Sequence, residues 1–173
     1  MAVKGAQEVI KELRKIGKDI DKNINATTEE AGNFIEGQAK KLAPKNFGKL
    51  AQSISTSEKT KEGLKTVFIT VNELYGAYME FGTGTKVVVP TEFKDMAASF
   101  KGQKTGSFKE GLESIKAWCR AKGIDESAAY PIFAKILGAG LNPRPFLYPA
   151  WTEGKKQYLK DLENLLKTYN KKI

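Results

Sequence analysis

The sequence contains no histidine and a single cysteine, Cys119. Without histidine there is no Ser-His-Asp triad, no imidazole proton relay and no imidazole-ligated metal. One cysteine excludes an intrachain disulfide and a cysteine-rich zinc site. Cys119 follows Trp118 in an amphipathic helical pattern, which reads as a packed thiol kept in a reducing compartment. Arginine is scarce too: Arg14, Arg120 and Arg144 are the only three among 29 basic residues. That argues against a face built to read bases or grip phosphates bidentately, work for which guanidinium groups are favoured. No stretch approaches the length of a membrane span, and the opening Met1–Glu8 lacks the apolar run of a signal peptide.

What is present is enough for a core. The chain has 173 residues, 40% of them hydrophobic, and is expected to form a single α+β domain over residues 1–173. Its formal charge of +9 is dispersed along the chain. A spread lysine excess gives weak, salt-sensitive attraction to nucleic acid or other acidic surfaces. A basic nucleic-acid-binding protein is therefore the alternative function kept open by composition.

Apolar residues at Val9, Leu13, Ile16, Ile20 and Ile24, then Ala31, Ile35, Ala39 and Leu42, trace one helical stripe. Two readings fit Asn25–Thr28: a capping box from Thr27 to Glu30 that starts a second helix, or one long helix from about residue 6 to 42. The unbroken phase favours the long helix, ended by Pro44. Its mixed polar face fits packing against a sheet or a neighbouring subunit better than a membrane surface. Strands are expected over 51–57 and 64–71 with a turn at Glu62-Gly63, and a short one at 87–89. Residues 91–107 read as an exposed loop. A helical hairpin follows, from Phe108 to Lys122 with a stop at Gly123, then from an Asp125 cap over 126–137. Residues 91–140 thus form an inserted loop plus helical hairpin. Trp151, Tyr158, Leu159, Leu162, Leu165, Leu166 and Tyr169 line one face of a long terminal helix.

Two segments stand out: Tyr75-Gly-Ala-Tyr-Met-Glu-Phe-Gly-Thr-Gly84 and Asn142-Pro-Arg-Pro-Phe-Leu-Tyr-Pro-Ala-Trp151. Each joins large apolar side chains to residues that shape the backbone, a recipe for packed corners. Gly82-Thr-Gly-Thr-Lys86 lacks the spacing of a phosphate loop, and Val87-Val-Val-Pro90 stands where a helix should start. Glu80 has no second positioned acid for general acid–base work; an ion pair with Arg144 is the expected role. No mechanism is nominated, and no catalytic residue, metal or cofactor is expected.

These two segments resemble the tail-component family of long-tailed bacteriophages, the tail-completion or head–tail joining proteins. So do Ala43-Pro-Lys-Asn-Phe-Gly-Lys-Leu50 running into Ser53-Ile54, and Ile115-Lys-Ala-Trp118 with Ala129-Tyr-Pro-Ile132. The resemblance runs through nearly the whole chain, with departures at Phe47, where Thr or Ser is frequent, and Tyr148, where Arg is. It implies a long N-terminal helix packed on a small, mostly antiparallel sheet, a helical-hairpin insertion and a C-terminal helix. It implies a non-enzymatic virion protein at the head–tail junction, assembled in the host cytoplasm. The implied partners are copies of itself in a six- or twelve-fold ring, connector or adaptor proteins above and tail-tube proteins below. Nonspecific contact with DNA in the channel is a further expectation; a membrane partner is not. Tyr75, Tyr78, Phe81, Gly82, Gly84, Arg144, Pro145, Phe146 and Pro149 are the expected fold and interface motif. Lys94, Phe100, Lys101 and Lys104 mark a contact loop for a neighbouring protein or for DNA phosphates.

Overall fold

The computed structural model describes residues 6–45, 48–73, 75–100 and 107–170. Phe47, Lys101 and Lys104 lie outside them. The elements in order are α1 (Ala6–Leu42), α2 (Lys49–Ser53), β1 (Ile54–Lys61), β2 (Leu64–Val71), α3 (Tyr75–Phe81), α4 (Lys94–Phe100), α5 (Phe108–Lys122), α6 (Ala129–Ala139) and α7 (Leu147–Asn170). Short 3₁₀ turns occupy Gly84–Lys86, Thr91–Phe93 and Glu126–Ala128. This is an α+β chain with one antiparallel two-stranded sheet, β1 beside β2. Two compact units divide it. The first comprises residues 1–37, 55–70 and 151–173; the second comprises 38–54 and 71–150.

In the first unit α1 is one uninterrupted helix. The Thr27 and Thr28 hydroxyls donate to the carbonyls of Asn23 and Ile24 one turn back. Both are therefore satisfied within the helix, and neither acts as a cap for a new one. One face of α1 meets the hairpin. Gly32 lies so close to Val67 that a Cβ there would collide with its side chain. Asn25 holds the turn from both sides: its amide donates to the Gly63 carbonyl at 2.7 Å and its Oδ1 accepts from the Lys65 backbone N–H at 2.7 Å. The Lys65 ammonium bridges Glu29 at 2.6 Å and Glu58 at 2.7 Å, and these hydrogen bonds push its pKa above the ordinary lysine value. A neighbouring sector of α1 meets α7, through Ile35 against Gly154 and Thr28 Oγ1 with the Tyr158 hydroxyl at 3.0 Å.

The hairpin turn has positive φ at both central residues, 53° at Glu62 and 82° at Gly63, the geometry of a type I′ turn. A two-residue turn pairs Lys61 with Leu64. The Asn72 N–H donating to the Ser53 carbonyl at 3.1 Å shows the same register at the far end.

The second unit carries most of the fully buried side chains: Leu50, Ile54, Phe81, Cys119, Ala129, Phe133 and Phe146, each at most 9% exposed. In the helical hairpin, Gly111 of α5 lets the Phe133 ring of α6 approach; a Cβ there would stand 2.6 Å from it. Ser107 and Glu110 form a full capping box at the start of α5, and Gly123 ends it with φ +67°.

Several expectations shift. Lys49–Ser53 is a helix, so β1 begins at Ile54 and not at 51. No strand forms at 87–89: the Val88 N–H donates to the Phe81 carbonyl, but no strand pairs with the segment. The expected loop at 91–107 is helical over most of its described part, a 3₁₀ turn then α4. Asp125 caps the 3₁₀ turn at Ser127, and α6 starts three residues later than that cap implied and runs to Ala139. The terminal helix starts at Leu147, placing Pro149 inside its first turn, where a missing N–H is harmless.

Candidate functional site: the junction of the two motif segments

Within the second unit the two motif segments meet. α3 carries Tyr75–Phe81, and its chain leaves through Gly82 (φ +77°) and Gly84 (φ +62°). The partner segment enters through Gly140 (φ +77°). Backbone bonds then stitch the two together. The Thr83 N–H donates to the Leu141 carbonyl at 3.1 Å, the Leu141 N–H returns to Thr83 Oγ1 at 2.8 Å, and the Arg144 N–H donates to the Met79 carbonyl at 2.6 Å. The glycines are required by space as well as by φ. A Cβ on Gly82 would stand 2.8 Å from the carbonyl oxygens of Leu141 and Lys86, and one on Gly140 would collide with the Thr83 carbonyl. Neither clash is with a side chain that could move aside.

At the centre of the junction sits Glu80, only 4% exposed. Its carboxylate accepts from the backbone N–H groups of Phe146, Leu147 and Tyr148, each at 2.8 Å. These are the free donors at the start of α7, which every helix leaves unsatisfied. The next residue, Pro149, has no N–H to offer. The carboxylate also lies at the positive end of the helix dipole. A residue 66 positions away in sequence therefore caps α7. The expected ion pair with Arg144 does not form. Arg144 is exposed, and its contribution is the backbone bond to Met79. Three charge-assisted backbone bonds already occupy the carboxylate, and they leave it no need of a cation.

The remaining motif residues surround this cap. Phe146 is 1% exposed and approaches Gly76, whose neighbours also include Leu50 and Val71. Phe81 packs edge-on to Phe93, and Phe93 edge-on to Tyr148. Tyr75 is half-buried and its pKa is raised, first by burial and then by the Glu73 charge, with a hydrogen bond to the Leu50 backbone acting the other way. Pro145 is exposed. Tyr78, Phe81, Gly82 and Gly84 line an open apolar cavity of about 500 Å³ whose far wall is α4, including Lys94 and Phe100. The two described residues of the expected contact loop thus sit on a helix beside the motif.

The buried Glu80 carboxylate is engaged with three backbone donors, and the nearby cavity is lined mainly by apolar side chains, with Thr83 and Lys94 also in its wall. The Glu80 carboxylate thereby fixes a helix start to a corner.

Residues 7–82 match the family model described as "Bacteriophage HK97-gp10, putative tail-component". The chain is similar to that family over this segment, which is less than half of its length. The matched segment takes in all but the first residue of α1, then α2, the hairpin and α3, and ends at Gly82. It therefore includes Glu80 but none of the residues that Glu80 caps. Neither a curated protein nor a solved structure matches the chain significantly. Among the described residues, no helix is long and apolar enough to cross a membrane.

The sequence reading named the junction's aromatic and glycine residues but missed the cap, Gly140, Thr83 and Asn25. One signal for the cap was available. Asn142–Leu147 places no Ser, Thr, Asp or Asn next to the helix start, so α7 has no local capping side chain. A helix that starts inside a core without one needs an acceptor from elsewhere.

Proposed function

We propose that this chain is a non-enzymatic structural protein of the head–tail junction, working as a closed ring of six or twelve copies between a portal-side connector and the tail tube. The family match over residues 7–82 carries the reading. Uncovered apolar surface supports the assembly role. Helix α6 has one charged residue, Lys135, among eleven, yet Tyr130 and Leu137 are 61% and 60% exposed. A helix this apolar is ordinarily covered on all sides. Val87 and Val88, just after the motif glycines, are exposed as well. The junction supplies a fixed corner from which such surfaces can be presented to neighbours.

Electron cryo-microscopy of the particle that carries this protein tests the proposal. The expected result is density for the chain as a closed ring between connector and tail tube. Absence of the chain from mature particles contradicts it. Salt-dependent DNA binding by the purified protein would then favour the basic nucleic-acid-binding alternative.

A further inference from the structure

The sheet has two strands, so each strand has one free edge. The register tells which backbone groups point outward. With Lys61 paired to Leu64 and Ser53 to Asn72, the N–H and C=O groups of Thr66, Phe68 and Thr70 face β1. Those of Lys65, Val67 and Ile69 face away from it. Lys65 fits this assignment, because its N–H leaves the sheet to reach Asn25. Among the described residues the outward N–H groups of Val67 and Ile69 have no acceptor.

The two edges differ in character. β1 carries Glu58, Lys59 and Lys61, the charged side chains that blunt an edge against pairing. β2 carries one charge, Lys65, already held by Glu29 and Glu58. Its face turned from α1 instead exposes Leu64 and Phe68, at 52% and 45%. Unpaired backbone groups beside exposed apolar side chains make β2 an adhesive edge.

We propose that β2 pairs antiparallel with β2 of a second copy, about a two-fold axis at Phe68. In this register Val67 and the second copy's Ile69 exchange their outward N–H···O=C bonds, and the reciprocal pair does the same. Phe68 lies directly opposite its own equivalent in a non-hydrogen-bonded pair, where side chains are closest. Thr66 lies opposite Thr70. Aromatic and threonine cross-strand pairs of this kind are stabilising, and no like charges stand directly opposite in the β2–β2 pair, although the Lys59 ammonium lies 5.6 Å from the Phe68 ring centroid. Pairing β1 with β1 would instead bring copies of Glu58, Lys59 and Lys61 together. The resulting contact is isologous and closes on itself, distinct from the head-to-tail contact that a ring requires. Its success or failure is therefore separable from that of the ring.

Cysteine trapping tests this in the full-length protein, with buried Cys119 as an internal unreactive control. Phe68→Cys should give a disulfide-linked dimer rapidly under mild oxidation, since opposed non-hydrogen-bonded positions have the Cβ separation a disulfide needs. Lys59→Cys, on the same face of β1, should not. Ile69→Pro removes an outward N–H without touching the β1–β2 ladder; it should weaken self-association in sedimentation equilibrium by about tenfold or more with an unchanged circular dichroism spectrum. A wild-type protein that stays monomeric at all concentrations while Phe68→Cys fails to cross-link overturns the proposal. So does cross-linking between Lys59→Cys and Phe68→Cys chains in preference to Phe68→Cys with itself, which would mean head-to-tail strand addition. If Ile69→Pro does not fold, the cysteine results decide alone.

Discussion

The two compact units are held together in different ways. In the second, the motif junction is made of backbone: three N–H groups on one carboxylate, and glycines whose Cβ positions are filled by neighbouring carbonyls. In the first, side chains clamp a long helix to a hairpin and to α7, through Asn25, Lys65, Thr28 and Tyr158. Residues 7–15 of α1 are all exposed, Val9 and Leu13 among them. Backbone groups sealed in a core cannot relax when a partner is removed, whereas the part-buried and exposed side-chain clamps can exchange for water. A local change should therefore cost far more in the junction than in the clamps.

The sharpest break is Glu80→Ala. It strips three buried donors of their acceptor, and the expected loss is about 3–5 kcal/mol, read as a drop in the urea midpoint. A loss under about 1 kcal/mol would put the junction on a level with an exposed polar contact. Next comes Gly140→Ala, which combines a positive φ with a backbone collision. About 3 kcal/mol is expected, against about 1 kcal/mol for Gly123→Ala, where φ is equally positive but no atom lies near.

In the first unit Asn25→Ala removes both bonds to the hairpin turn. The expected cost is about 1–2 kcal/mol by thermal melting, with the hairpin amides of 62–66 losing hydrogen-exchange protection first. Gly37→Ala should move the other way. This α1 glycine has open space where a Cβ would go, so about 0.5–1 kcal/mol of stabilisation is expected. The smallest effect is alkaline. Lys65 has a raised pKa through its bonds to Glu29 and Glu58. Its contribution is therefore whole below the ordinary lysine value of 10.5 and is lost as pH rises through the higher folded value. Lys65→Met should remove that part of the high-pH slope in a denaturation series, and an unchanged slope would show the ion pairs to be energetically silent.

Much of the fold was legible because local rules and tertiary packing agree there. The period of apolar residues gave α1 as one helix, and Glu62-Gly63 and the alternation of Val67, Ile69 and Val71 gave the hairpin. Gly123 marked the end of α5. The failures are also physical. Val87–Val89 looks like a strand by composition, but a strand needs a partner edge, which no propensity supplies. Residues 91–107 taken together are rich in Lys, Gly, Ser and Thr and read as a loop, but the helix over Lys94–Phe100 is supported by packing of α4 beside α3, across 13 or more positions. In the junction, aromatic and glycine residues announced a corner without saying what would meet there. Glu80 was visible as an oddity within an apolar motif. Its partners were backbone amides, which every residue but proline possesses and which therefore leave no mark in the sequence.

Amide hydrogen exchange on the wild-type protein tests the central claim most directly. First-turn N–H groups of a helix ordinarily exchange fast, since they have no partner within the helix. The account predicts that the amides of Phe146, Leu147 and Tyr148 are among the slowest in the chain, opening only with the second unit as a whole. The amides of Lys109 and Glu110, in the first turn of α5 behind an exposed capping box, should exchange orders of magnitude faster. Equal, rapid exchange at both helix starts would contradict the account, because it would mean that Glu80 does not seal the junction.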